Sequence, residues 1–287
     1  MPVQLVKHTQ NLIPNMLRIA LTSFTLCLIS FMSPGAVTVS ESPVVAVEKV
    51  AESSDPAAAT ALTYEQKLLA FDEHIGALYD EAALKKYGLS QEVFRNALVG
   101  FQNFKQKGLL GADKSILTVI DFTKSSRVKR LWVIDLSARK VLHHTLVAHG
   151  RNSGEDKALN FSNAANSYMS SMGFYLTDKT YYGKHGLSLR LSGMDAAFNS
   201  NAMSRAIVMH GADYVSEAFV KQYGRLGRSL GCPAIPQELT KQIVETVKDK
   251  TCLYIHTADK KYSSTYLDQT LAVESFAAEM PLLAVTK

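Results

Sequence analysis

Two residues in the C-terminal half have types and spacing that could carry acyl transfer. His210 ends the apolar run Ala206-Ile207-Val208-Met209, and Cys232 follows 22 residues later within Ser229-Leu230-Gly231-Cys232-Pro233. A cysteine attacks a carbonyl as its thiolate, and a free thiol with a pKa of about 8.5 is only partly ionised at neutral pH. It needs a nearby base or a positive field, and histidine is the usual supplier. The glycine before the cysteine lets backbone N–H groups approach a reacting carbonyl oxygen, which is worth several kcal/mol when they are well placed. Pro233 then fixes the chain. Spacing alone leaves two readings open: a base with its nucleophile, or a structural histidine and a buried thiol. No further ligands at zinc spacing accompany the pair, so neither a metal nor a cofactor is expected.

The elements that must position this pair are legible as changes of period. Thr63-Tyr64-Glu65-Gln66 has capping-box spacing, and Leu68, Leu69, Phe71, Ile75, Leu78 and Tyr79 follow at helical spacing. A second helix begins near Ser90, with Val93, Phe94, Ala97, Leu98, Phe101 and Phe104 on one face, and stops at Gly108. From Ser115 the pattern turns to β-branched, partly alternating runs: Ser115–Phe122, Arg130–Ser137, Lys140–Gly150, Gly173–Leu176, Leu187–Leu191, Ala206–Met209 and Cys252–Ala258. Gln237–Asp249 reads as one amphipathic helix with Leu239, Ile243, Val244 and Val247 inward. The expected fold is mostly β with a helical flank. The signals in 268–287 are mixed.

The bulk numbers agree with a globular catalytic body. The chain has 287 residues, 47% hydrophobic and 20% charged, enough for a substantial core. A net charge of +5 gives no reason to expect nucleic acid as a partner. Lys7 and Arg18 precede the uncharged run Ile19–Met32, which Ser33-Pro34-Gly35-Ala36 follows. That is the pattern of a secretory signal, here 1–36, with an uncleaved N-terminal anchor as the alternative. Membrane contact is expected through this segment only. Residues 37–62 read as a flexible linker, 63–267 as the catalytic domain with its helical flank 63–110, and 268–287 as a C-terminal tail. Cys27 sits inside the apolar run as a bystander. Export leaves Cys232 and Cys252, either bridged or, given a glycine turn around one and an apolar strand around the other, both free.

Longer words around the pair narrow the choice. "HGADYVS…GRSLGCPAIP", preceded by "LTVIDFTKSSRVKRLWVID", "HTLVAHGRNSG", "FSNAANSYMSSMGFY" and "GKHGLSLRLSGMDAAFNSNAMSRAIVMHG", resembles the murein L,D-transpeptidase catalytic domain, the YkuD-like cysteine transpeptidases of bacterial cell walls. The resemblance runs over about 64–260 and implies a β-sandwich catalytic domain of the periplasm or cell envelope, acting on peptidoglycan stem peptides. Cys232 would attack the diaminopimelate–D-Ala bond of a tetrapeptide stem, form a thioester and pass it to an amine of a second stem as a 3→3 cross-link. His210 would be the base, oriented by the Gly211 carbonyl, and the Gly231 and Cys232 N–H groups would form the oxyanion hole. Ser229 and Arg228 would line the site, and the thiol would be open to acylation by carbapenems. Water in place of the amine would make a carboxypeptidase or endopeptidase; a non-catalytic peptidoglycan-binding module is the other class. The sequence departs from the common family pattern at Leu230, where histidine is frequent, and at Pro233-Ala234-Ile235, where an arginine is. Arg228 or Arg190 would then hold the substrate carboxylate. A nucleophile of this kind is expected to ionise below the free-thiol range. Oligomeric state is not legible.

Other residues carry two readings each. His149-Gly150 repeats the His-Gly pair at another strand end, as a substrate-pocket histidine, the true base or a plain turn. His143 and His144 fall on opposite faces of a strand and cannot share a site. Tyr181-Tyr182-Gly183-Lys184-His185-Gly186 suits either a mobile loop over a groove, with Tyr182 touching substrate, or a surface turn. Asp213 either holds the loop after His210 or assists it.

Overall fold

The structure, a computed structural model, describes residues 61–285, with side chains to 280. The expected signal 1–36, its Cys27 and nearly all of the linker lie outside the described residues.

Two helices open the described chain. Helix α1 (Tyr64–Glu81) starts at Thr63, whose hydroxyl accepts the Gln66 N–H at 3.3 Å while Gln66 Oε1 accepts the Thr63 N–H at 2.9 Å. The reciprocal pair satisfies two donors that a helix start would leave orphaned. Helix α2 (Gln91–Gln106) is capped by Ser90, whose Oγ accepts the Val93 N–H. The mixed signals of the tail resolve into helix α5 (Gln269–Val285), which lies across both. Phe276 stacks toward Phe71 at 5.2 Å, and Lys67 and Lys105 pair with Glu274 and Glu279 of α5 at 2.6 Å each.

Eight strands form one sheet in the order β3-β2-β1-β8-β4-β5-β6-β7. They are β1 (Ile116–Asp121), β2 (Leu131–Asp135), β3 (Lys140–Thr145), β4 (Gly173–Gly183), β5 (Gly186–Gly193), β6 (Val208–Ala212), β7 (Ala234–Pro236) and β8 (Cys252–His256). Alternation splits β1, β2, β4 and β8 between two cores. Leu117 and Val119, Trp132 and Ile134, Phe174, and Cys252 and Tyr254 face the helical layer of α1, α2 and α5. Their neighbours Ile120, Leu131, Val133, Tyr175, Leu253 and Ile255 face an inner core with Leu189, Met209 and Ile235, plugged by Ile243, Val244 and Val247 of helix α4 (Thr240–Val247). Burying a side chain of this size contributes about 1.5–3 kcal/mol, so both cores are substantial.

The sandwich is built by one sheet that curls on itself. Beyond β3 the chain continues to Ala148, which bridges to Ala234 of β7, and to Gly150, which bridges to Ser229. The first and last strands of the order are thereby joined, giving a barrel-like body. One expectation needs correction. The helix read over Gln237–Asp249 is a 3-10 turn (Gln237–Leu239) followed by α4, and it ends at Val247. Asp249 and Lys250 take φ of +63° and +65°, and their N–H groups bond instead to Asp178 O and Thr177 O of β4. A short helix α3 (Glu217–Tyr223), capped by Ser216, lies between His210 and Cys232.

Candidate active site

His210 and Cys232 are brought together by a parallel pairing. His210 of β6 lies opposite Ala234 of β7, and Cys232 precedes Ala234 by two residues, as Val208 precedes His210. Cys232 itself lies in the turn just before β7, where it packs against the edge of the inner core that holds Met209. The Cys232 Sγ accepts the Val208 N–H at 3.4 Å, and its S–H points to the Ala206 carbonyl at 3.6 Å. In this arrangement the thiol bonds to the chain leading into β6 and not to the imidazole.

The imidazole is 2% exposed, and its Nδ1 lies 2.9 Å from the Gly211 carbonyl. A carbonyl can only accept, so Nδ1 carries the hydrogen and Nε2 is left with its lone pair free. Burial, followed by the charges of His185 and Lys184, holds the ring below the usual histidine value, against the opposing Gly211 bond. His210 is thus neutral at pH 7, the form a base requires. The Asp213 carboxylate makes no hydrogen bond to it.

The thiol does not ionise as the sequence led us to expect. Burial pushes Cys232 above the ordinary thiol value, and this outweighs the Val208 N–H, the charges of Arg205 and Lys184, and its own N–H, all of which favour the thiolate. Both members of the pair therefore rest uncharged. Cys252 is also a free thiol, wholly buried in β8.

The nucleophile's turn is held from within. Ser229 Oγ donates to the Cys232 carbonyl at 2.6 Å and accepts the Gly231 N–H at 3.1 Å. This revises the expected oxyanion hole. The Gly231 N–H is already committed to Ser229, which leaves the Cys232 N–H as the donor of that pair open to a substrate oxygen. Gly231 has φ +125°, and a Cβ there would meet the Met169 carbonyl at 2.8 Å. Only glycine fits both constraints.

His149 and Gly150 belong to the support of this turn. His149 is fully buried; its Nδ1 accepts from Arg130 Nη2 at 2.8 Å, and its Nε2–H donates to the Gly154 carbonyl at 3.2 Å. Burial and the Arg130 charge push it down to about 4. With both nitrogens occupied it has none to offer a substrate, so the pocket role expected for it does not fit. Its carbonyl accepts the Ser229 N–H at 3.0 Å, and the Ser229 carbonyl accepts the Arg151 N–H at 2.8 Å. A Cβ on Gly150 would come within 2.9 Å of Gly231 Cα, so glycine at 150 is what lets the two segments touch.

The other candidates disperse. Arg228 is turned away, bonded to Glu155 at 2.6 Å and to the carbonyls of Arg151 and Gly154. Arg190 lies opposite Val208 on the His210 face, exposed and 5.0 Å over the Tyr181 ring. Tyr182 is 83% exposed on the β4–β5 hairpin. The residue that sequence reasoning missed is Arg205. Its guanidinium donates to Ser162 O, Ser171 Oγ, Ser167 Oγ and Met169 O, tying the 162–171 loop beneath Gly231 and setting a positive charge near Cys232. Among the described residues no cluster of three or more His, Cys, Asp or Glu could hold a metal ion, and no helix is long and apolar enough to cross a membrane.

One curled, mostly β sheet thus carries His210 on β6 and Cys232 in the glycine turn that leads into β7. The sequence model of the L,D-transpeptidase catalytic domain matches residues 85–256, and the chain belongs to that family. No curated protein sequence matches it. Among solved structures it is similar to an L,D-transpeptidase from Mycobacterium smegmatis, at 11% identity over 50% of this chain and 59% of that one, with a TM-score of 0.32. It is also similar to an L,D-transpeptidase from Mycobacterium tuberculosis H37Rv, at 14% identity over 50% and 58%, TM-score 0.30. A third is the L,D-transpeptidase from Xylanimonas cellulosilytica, at 12% identity over 66% and 93%, TM-score 0.30. The chain thus spans less than two thirds of the length of the two mycobacterial proteins.

Proposed function

We propose that the protein is an exported peptidoglycan L,D-transpeptidase of the cell envelope with Cys232 as nucleophile and His210 as base. The observation that carries this reading is the Nδ1–Gly211 bond, which leaves a neutral imidazole with Nε2 free on the strand next to the turn that holds Cys232. Export rests on the signal-like pattern of 1–36.

The thiol leaves the Ala206 carbonyl and gives its proton to His210 Nε2 as sulfur attacks the diaminopimelate carbonyl of a tetrapeptide stem. A resting pair without charge suits this, because thiolate and imidazolium form only when a carbonyl is there to receive the electrons. The tetrahedral oxyanion takes the Cys232 N–H. Collapse breaks the C–N bond, and His210 returns the proton to the departing D-Ala amine. The amine of a second stem then attacks the thioester while His210 takes its proton; the thiol is restored and an amide cross-link is formed.

Purified protein incubated with disaccharide-tetrapeptide tests this by mass. A cross-linked dimer, and a covalent adduct on the protein lost in Cys232→Ala, are the expected results. Tripeptide without dimer would mean that water resolves the thioester. Sacculus binding without any adduct, unchanged in Cys232→Ala, would overturn the catalytic reading.

A further inference from the structure

The hairpin joining β4 to β5 turns on Lys184 and His185, between the paired Gly183 and Gly186. All four residues are exposed, and Gly186 supplies the positive φ of +73° that so tight a turn demands. A turn of this kind needs no partner, and its side chains would ordinarily stand in water. His185 does not. Its ring lies flat on that of His210, with centroids 4.3 Å apart and planes within 18°.

Strand register explains how the tip reaches the imidazole. Ser188 pairs with His210, so β5 begins two residues beyond the histidine and the turn folds back across it. The ring is then held in two directions, by the Gly211 carbonyl at its Nδ1 edge and by His185 against one face. The groups facing it from each neighbouring element are Lys184 and His185 from the hairpin, Ser188 and Arg190 from β5, and Ala234 from β7. None is a carboxylate.

We infer that His185 is a positioning residue for His210: it covers one face of the imidazole, fixes the ring plane during acyl transfer and keeps water from that face. The inference rests on reading His210 as the base. The contact has two physical effects. Stacking removes solvent that would stabilise an imidazolium, and the nearby positive charge of Lys184 opposes protonation further, so the ring stays an acceptor. A base whose plane wanders loses its line to the thiol, and misplacement of about 1 Å at such a site reaches 10²-fold in rate.

Full-length His185→Ala and His185→Phe variants test this, since an exposed hairpin tip tolerates either change. Phenylalanine retains a flat ring without a charge. The His210 imidazole is followed by NMR titration, and acyl-enzyme formation with a tetrapeptide stem by intact mass. His210 should titrate below 6.5 in the parent protein and move up toward 6.5 in His185→Ala. The Ala variant should lose roughly tenfold in kcat with little change in KM, and the Phe variant should recover most of that loss. An unmoved His210 titration in His185→Ala overturns the inference, as does equal impairment of the two variants. The titration needs no substrate, so failure of the parent protein to acylate at all would strike the transpeptidase reading separately.

Discussion

Cys232 and His210 rest as a neutral pair, and this sets the reactivity each should show. Cys232 is half-buried and Cys252 fully buried, and burial pushes the ionisation of both up, that of Cys252 to well beyond the free-thiol range. Iodoacetamide should therefore label Cys232 well before Cys252 in native protein, read by peptide mass, with the Cys232 rate still climbing above pH 8.5. A plateau at neutral pH would show a thiolate that the burial argument forbids. Arg205 is the cation set beneath the turn, so Arg205→Gln should push the thiol higher and slow acylation by about tenfold or more. Arg205→Lys should repair little, because one ammonium cannot replace a planar guanidinium reaching four acceptors. His210→Ala should lower kcat by about 10²–10⁴. Cys232 and His210 were legible as candidates because each sits in a short word of distinctive chemistry. Arg205 was not, since its partners are mostly backbone carbonyls and serines 34–43 residues away, and such partners leave no spacing signal. His149 misled for a related reason: a His-Gly pair at a strand end reads alike whether the ring faces a cleft or a buried arginine.

At the scale of elements, capping and periodicity placed α1, α2 and most strands, because those signals are local. Strand β7 escaped notice, being only Ala234–Pro236 and defined wholly by its distant partners in β6 and at Ala148. The proline that ends it hid it further. Helix α5 escaped because Gln269–Val285 lacks a strong apolar face; its inward residues Ala272, Val273 and Phe276 make sense only against α1 and α2. Phe276→Ala should thus destabilise the protein by about 2–4 kcal/mol, measured by denaturant midpoint, with the His210 titration unaltered. Gly100 gives a sharper case. A Cβ there would enter the Phe174 ring at 2.0 Å, so Gly100→Ala should lower stability even though alanine favours a helix by about 1 kcal/mol.

Across the whole molecule, the described histidines lean one way. His74, His143, His144, His149, His185, His210 and His256 are all held below 6.5, each chiefly by burial. The unfolded chain binds these protons first as pH falls, so their contribution to stability is complete above about 6.5 and is lost below it. His149, at about 4, carries the widest window, on the order of 3 kcal/mol between 6.5 and 4. Asp195 is raised and works in the opposite sense, although as one group against seven histidines. The melting temperature should fall on passing from pH 7.5 to pH 5; a flat profile would contradict the burial assigned to these rings.

The joining of the sheet's two ends at Ala148–Ala234 and Gly150–Ser229 ties the turn that bears Cys232 to the far end of the strand order. Wherever a ring of strands is fastened, it can also be unfastened, and here the fastening is the backbone that aims the sulfur. Opening it would part Ala148 from Ala234 within the small buried cluster they share with Leu146, Ala212, Val215 and Leu226, and release the turn that bears Cys232. Hydrogen exchange at the Ala148, Arg151, Ser229 and Ala234 amides, which bond across this junction, should therefore track the fraction of molecules able to acylate. A ligand that clips the junction shut would raise that fraction without touching a reacting atom, and one that wedges it apart would silence the protein while leaving it folded.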